Sequence, residues 1–211
     1  MATQPKVLVL GIGNLLWADE GFGVRAVERM HLDYEFDDNV SLVDGGTQGL
    51  YLVQDVRAAE VLVVFDAVDY GLPPGTMKLV EDAEVPQFLG AKKMSLHQTG
   101  FQEVIATAGM FGELPEHMLL VGVQPVELED YGGSLREPVK RQIGPAIDAA
   151  LAYLARFGIL ARKRPHALAE HQTLASSELT MERYEGGRPS DSDACRSGDA
   201  RVLALTARGK R

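Results

Sequence analysis

The sequence predicts an α/β fold: a three-layer, doubly wound and mostly parallel twisted sheet with helices on both faces. Two observations predict it. From residue 6 to about residue 158, short apolar strand-like runs alternate with helix-like stretches, the pattern of a mostly parallel sheet covered on both sides. The first of these runs, Lys6 to Leu10, passes through the glycine turn Gly11-Ile12-Gly13 into a helical pattern.

The elements follow in order. Lys-Val-Leu-Val-Leu at Lys6 to Leu10 is a short strand rich in β-branched residues, and Gly21 to Met30 is the helix after it. Val40 to Val43 is a second strand and Gly49 to Arg57 a second helix. Val61 to Phe65 is an unbroken apolar run, as expected of a strand buried on both faces, and Asp66 stands at its end. Thr76 to Val80 and Met118 to Val123 are the remaining strands, with a helix over Thr99 to Gly109 between them. The last helix, Glu137 to Phe157, aligns Val139, Ile143, Ile147, Leu151 and Leu154 as one apolar stripe for docking on the sheet. Pro145 inside it is expected to bend it, and Gly158 is placed to end it in a left-handed conformation.

Length and composition set the frame. A chain of 211 residues, 45% of them hydrophobic, supplies one domain with a sizeable core, expected over residues 1–160. Residues 161–211 are expected as a polar tail, largely disordered or loosely attached from residue 165 on. No run of about 18 apolar residues is available to span a bilayer, and the first six residues lead into the first strand without a signal-type stretch. A cytoplasmic protein with no membrane partner is the expectation. The single cysteine, Cys195, permits neither a disulfide framework nor an all-cysteine metal site. The formal charge of −9 is uneven: residues 1–160 carry 11 Lys and Arg against 23 Asp and Glu, while residues 161–211 carry 10 against 7. An acidic body disfavours phosphate backbones, so nucleic acid is not an expected partner.

The loop after the first strand, Gly11-Ile12-Gly13-Asn14-Leu15-Leu16-Trp17-Ala18-Asp19-Glu20-Gly21-Phe22-Gly23, carries the chemistry. At the carboxyl end of a strand in an open α/β sheet, it lies where ligands bind. Dinucleotide binding fails at the third glycine of the fingerprint, where this chain has Leu16. Carboxylates at the start of the helix would also repel a pyrophosphate. Asp66 ends another strand, directed into the same crevice, and His97 lies in the loop that opens the next helix. Together Glu20, Asp66 and His97 offer two carboxylates and one imidazole, a set suited to a borderline divalent ion such as nickel or zinc, with coordination positions left open. Singly, each has an ordinary structural reading: Asp19 and Glu20 as acids complementing a helix dipole, Asp66 as a turn cap, His97 as a surface or capped histidine. The combination is what is specific. No His-Glu-x-x-His helix and no Ser-His-Asp set with nucleophile-elbow glycines is present.

The chain resembles the nickel-iron hydrogenase maturation endopeptidases, which process the hydrogenase large subunit. The matching pieces are Gly11 to Leu16 with Asp19-Glu20-Gly21-x-Gly23, then Asp44-Gly45-Gly46-Thr47, Phe65-Asp66-Ala67, Pro74-Gly75-Thr76, Ser95-x-His97-Gln98, and Val121-Gly122-Val123-Gln124-Pro125. They run in the family's order across residues 5–158, and the last 50 or so residues lie outside the resemblance. The resemblance implies that Glu20, Asp66 and His97 bind a metal ion, and that Asp44 is an acid near the site, where a turn with Gly45 and Gly46 is an equal alternative. It implies a monomer whose partner is a large-subunit precursor carrying its own nickel, cut once to remove a short C-terminal extension, with no organic cofactor. A divalent ion so held has two hydrolytic uses, polarising the scissile carbonyl or acidifying a bound water. Two other readings use the same ligands: a nickel-binding maturation chaperone that cuts nothing, and a general metal-dependent peptidase.

Overall fold

A computed structural model of the chain describes residues 4–90, 96–166, 168–169 and 172–188. Its strands are β1 (Val7–Ile12), β2 (Tyr34–Glu35), β3 (Val40–Gly46), β4 (Val61–Ala67), β5 (Met77–Glu81), β6 (His117–Val123) and β7 (Arg162–Lys163). Its helices are α1 (Phe22–Asp33), α2 (Val53–Ala58), α3 (Glu84–Gly90), α4 (Leu96–Met110), α5 (Glu137–Lys140), α6 (Ile143–Ala155) and α7 (Met181–Gly186). Short 3-10 turns precede α1 at Ala18–Gly21 and α2 at Gly49–Leu52.

Five strands form one sheet in the order β3-β1-β4-β6-β5. The first four are parallel, and β5 pairs antiparallel to β6 at the edge. All five are expected strands, each end within three residues of the expected one. Strand periodicity sorts their side chains between two cores. Val7, Val9, Val61, Val63, Phe65, Leu119 and Val121 pack against Phe22, Ala26 and Met30 of α1 and Ile147 and Leu154 of α6. Leu8, Leu10, Leu62, Val64 and Leu120 pack on the other face against Val56 of α2 and Phe101, Val104 and Ile105 of α4. The three-layer arrangement is therefore present. Strand β1 has its sequence successor β3 on one side and β4 on the other, so the order reverses at the β1–β4 pair, the switch point where open α/β sheets hold ligands.

The expected helix over Glu137 to Phe157 is two helices, not one bent helix. The chain breaks at Arg141 and Gln142 between α5 and α6. Pro145 is thereby the third residue of α6, in the first turn, where its missing N–H has no intrahelical acceptor to lose. Gly158 does end α6, at φ 74°.

Packing continues beyond residue 160. β7 pairs antiparallel with β2 through Tyr34–Lys163 and Glu35–Arg162. The short α7 lies by the body: Glu185 accepts hydrogen bonds from Lys140 Nζ at 2.8 and 3.0 Å and from the Ser134 hydroxyl at 2.8 Å. Arg188 donates to both carboxylate oxygens of Asp130, at 2.9 and 3.0 Å. The buried Arg25 of α1, paired with Glu28 at 3.0 Å, also donates to the Leu179 carbonyl, so the segment has an anchor beneath it. Cys195 and the rest of 189–211 lie outside the described residues.

Candidate functional site

The first loop is shaped by close backbone approach. Gly13 has φ 136°, and a Cβ there would run into the Glu20 carbonyl. A Cβ on Gly23 would run into the carbonyl oxygens of Phe65 and Ile12. Glycine at these two positions thus lets the 3-10 turn Ala18–Gly21 and the start of α1 press against the carboxyl ends of β1 and β4. The same turn closes on itself, with Asn14 N–H donating to the Glu20 carbonyl at 3.2 Å and Glu20 N–H to the Trp17 carbonyl at 2.9 Å.

The two adjacent acids of this turn have different surroundings. Asp19 is wholly buried. Its Oδ2 accepts the backbone N–H groups of Val126 and Glu127 at 2.8 and 2.9 Å, and its Oδ1 accepts that of Arg136 at 2.6 Å. Glu127 returns a carbonyl to Asp19 N–H at 3.1 Å. Asp19 is therefore a fastener between the first loop and the loop after β6. Gly132 N–H donates to the Leu16 carbonyl at 2.7 Å and the Tyr131 ring meets Trp17 edge-on at 5.2 Å, which closes the same seam. The next residue, Glu20, is half-buried with Oε2 shielded from solvent.

Asp66 is the sixth residue of β4 and is 3% exposed. By strand alternation it shares the face of Leu62 and Val64, the face covered by α4. His97 is the second residue of α4, whose Phe101 and Val104 pack on that face. The His97 side chain lies outside the described residues, so the triad of Glu20, Asp66 and His97 is not assembled among them. Among the described residues, no group of three or more His, Cys, Asp or Glu side chains could hold a metal ion.

Asp44 is the fifth residue of β3. It pairs with Gly11 in the β1–β3 register, and Val40 and Leu42, which share its parity, pack on the α1 side of the sheet. Burial raises its carboxyl above the ordinary range; the Gly46 backbone opposes this, and Glu28 and Arg25 of α1 act in opposite directions. Its electrostatic partners are thus residues of α1, across the sheet from the Asp66 face.

Gln124, present in the Val121 to Pro125 motif without an assigned role, and Tyr70, which no motif contains, both stand beside Asp66 in the fold. Gln124 is 7% exposed; its Oε1 accepts Tyr70 N–H at 2.7 Å and Leu72 N–H at 3.1 Å, while its Nε2 donates to Asp69 at 3.0 Å. It therefore braces the loop that follows Asp66. A cavity of about 480 Å³ lies apart from these residues, between α1, α6 and α7, lined by Leu32, Ile143, Ile147 and Met181 among others.

Comparison with known proteins gives one answer. The sequence profile described as "Hydrogenase maturation protease" matches residues 24–153. The hydrogenase expression/formation protein HupD of Thiocapsa roseopersicina is 64% identical over 209 residues, covering 99% of this chain and 95% of the relative. The hydrogenase 2 maturation protease of Escherichia coli K12 is 41% identical over 160 residues, which covers 75% of this chain and 96% of that protein. Among solved structures, the hydrogenase maturating endopeptidase HybD of E. coli superposes with a TM-score of 0.71 at 39% identity, covering 75% of this chain and 98% of that one.

Proposed function

Because this chain belongs to the hydrogenase maturation protease family and is an endopeptidase of that kind, we propose that it removes the C-terminal extension of a nickel-iron hydrogenase large-subunit precursor only after nickel insertion. The nickel arrives as part of the substrate. Glu20, Asp66 and His97 complete the coordination of that ion, so metal loading of the precursor is the specificity check. The reading is of a cytoplasmic monomer with no organic cofactor.

The observation that carries it is the meeting of two acid-bearing segments at the β1–β4 switch point. The start of α1, directly after the turn with Glu20, is pressed on the end of β4 at Gly23, and Asp66 is the next-to-last residue of β4. An ion presented to these carboxylates brings its scissile peptide bond into a crevice walled by backbone, where a divalent cation polarises a carbonyl or acidifies water.

The rim of the crevice suits a folded protein substrate. The loops at the carboxyl ends of β1, β3, β4 and β6 expose Leu16, Leu50, Tyr51, Leu72, Val126 and Tyr131, with Tyr51 at 89% and Tyr131 at 66% exposure. Exposed apolar side chains gathered around a site, in contrast to scattered ones, mark an interaction surface. A precursor that delivers its nickel to Glu20 and Asp66 must cover these loops.

The test is the intact mass of the purified nickel-loaded precursor after incubation with the protein. Loss of a C-terminal peptide supports proteolysis; stable binding with unchanged mass establishes the chaperone reading instead. Cleavage of unrelated peptides at a comparable rate establishes a general peptidase.

A further inference from the structure

Tyr70 follows Asp66 by four residues and folds back over β6. In the parallel β4–β6 pair, Gly122 lies directly opposite Asp66; in the antiparallel β5–β6 pair, Gly122 lies directly opposite Lys78. Gly122 shares the parity of Met118 and Leu120, so it faces the same side of the sheet as Asp66. A Cβ on Gly122 would run into the Tyr70 hydroxyl, and would stand 2.6 and 2.9 Å from Cζ and Cε2 of the same ring. The bare glycine is the floor of a slot, and the Tyr70 hydroxyl fills it. Adjacent strands are about 4.8 Å apart, so Gly122, the glycine under the hydroxyl, lies roughly one strand spacing from the Asp66 backbone.

The slot is built from several sides. Gln124 holds the Tyr70 and Leu72 backbone amides and is itself tied to Asp69. The Lys78 ammonium sits 5.3 Å from the centre of the Tyr70 ring. A phenol keeps its proton at neutral pH. A protonated phenol has one O–H to donate, and an ionised carboxylate only accepts.

We infer that Tyr70 is a positioning residue, whose hydroxyl fixes the orientation in which the Asp66 carboxylate meets the nickel-bearing end of the precursor. The inference rests on the proposed reading of Asp66 as a nickel-reading acid. Carboxylates that ligate metals are held by hydrogen bonds from outside the coordination sphere, and loss of such a partner lowers metal affinity or activity about 10- to 100-fold.

Tyr70→Phe tests it, because it removes the hydroxyl and keeps the ring over Gly122. The expected result is a melting temperature near that of the unmodified protein and processing of nickel-loaded precursor slowed about 10- to 100-fold. The preference for binding nickel-loaded over nickel-free precursor is also expected to shrink, a readout that a packing role would leave alone. In an Asp66→Asn background, Tyr70→Phe is expected to cause no further loss of that preference, since it acts through Asp66. Unchanged processing and preference in Tyr70→Phe, or losses that add fully in the double variant, would overturn the inference. Failure of the underlying reading looks different: Asp66→Asn would then process nickel-loaded precursor normally.

Discussion

The carboxylate of Asp19 accepts a hydrogen bond from the backbone N–H of Arg136 at 2.6 Å, across 117 residues of chain. With the amides of Val126 and Glu127 on its other oxygen, this buried side chain ties the loop after β6 to the loop that carries Glu20. Removing it strands three backbone donors inside the protein. Asp19→Ala is expected to lower stability by about 3 kcal/mol, the scale of losing several charge-assisted hydrogen bonds with partial relaxation. Urea denaturation measures this; a loss under about 1 kcal/mol would show that the seam is held by other contacts.

The close packing of α1 on the strand ends sets a second expectation. Gly23→Ala places a methyl group against the carbonyls of Phe65 and Ile12, both fixed backbone, so soluble expression should collapse or the melting temperature fall by more than about 10 °C. Gly71→Ala is the control. Gly71 has φ 66° but nothing within 4 Å of a Cβ, so only backbone strain of about 1 kcal/mol is added. Equal effects from the two would refute the close-approach account.

The segment around α7 should respond to acid. Hydrogen bonds from Arg188 and then Arg136 hold the Asp130 carboxyl below its ordinary pKa, and Lys140 does the same for Glu185. Carboxyls depressed in the folded state stabilise it above their unfolded values of about 4, and that contribution is lost as the pH falls through the depressed values. Trp17, the one tryptophan of the chain, touches Tyr131 in the same loop and reports the change. Its fluorescence should shift below about pH 4, before far-ultraviolet dichroism does. Arg188→Ala should move that midpoint upward. A fluorescence change coincident with global unfolding in both proteins would contradict the coupling.

Substrate docking can be separated from chemistry at the rim. Leu50 and Tyr51 are exposed, at 55% and 89%, so replacing both with serine should change stability by no more than about 0.5 kcal/mol. If the precursor covers them, KM for processing rises about 10-fold while kcat holds, the scale of losing a modest interface contact. Steady-state kinetics with nickel-loaded precursor decides it, and an unchanged KM removes this face from the interface.

Much of the fold was legible because the strands are apolar β-branched runs and the turn glycines sit where backbone meets backbone. Glu20 after β1 and Asp66 near the end of β4 are legible as acids at the carboxyl ends of neighbouring parallel strands. What escaped had its cause in long-range geometry. Asp19 and Glu20 are neighbours of like chemistry, and only the distant amides of residues 126, 127 and 136 single out Asp19 as the fastener. The side of the sheet on which Asp44 falls depends on the phase of β3 rather than on its sequence motif. The β7 and α7 segment is polar and lacks periodicity, so its docking through Arg25, Lys140 and Asp130 left no pattern to read. Tyr70 was invisible for the same reason: its role depends on a bare glycine 52 residues away.

The most direct test of the central claim is side-by-side processing of nickel-loaded and nickel-free large-subunit precursor, followed by intact mass over time. The account predicts that the nickel-loaded form alone loses its C-terminal extension, and that Glu20→Gln, Asp66→Asn and His97→Ala each abolish that cut in folded protein. Equal cleavage of both forms, or full activity in His97→Ala, would contradict it.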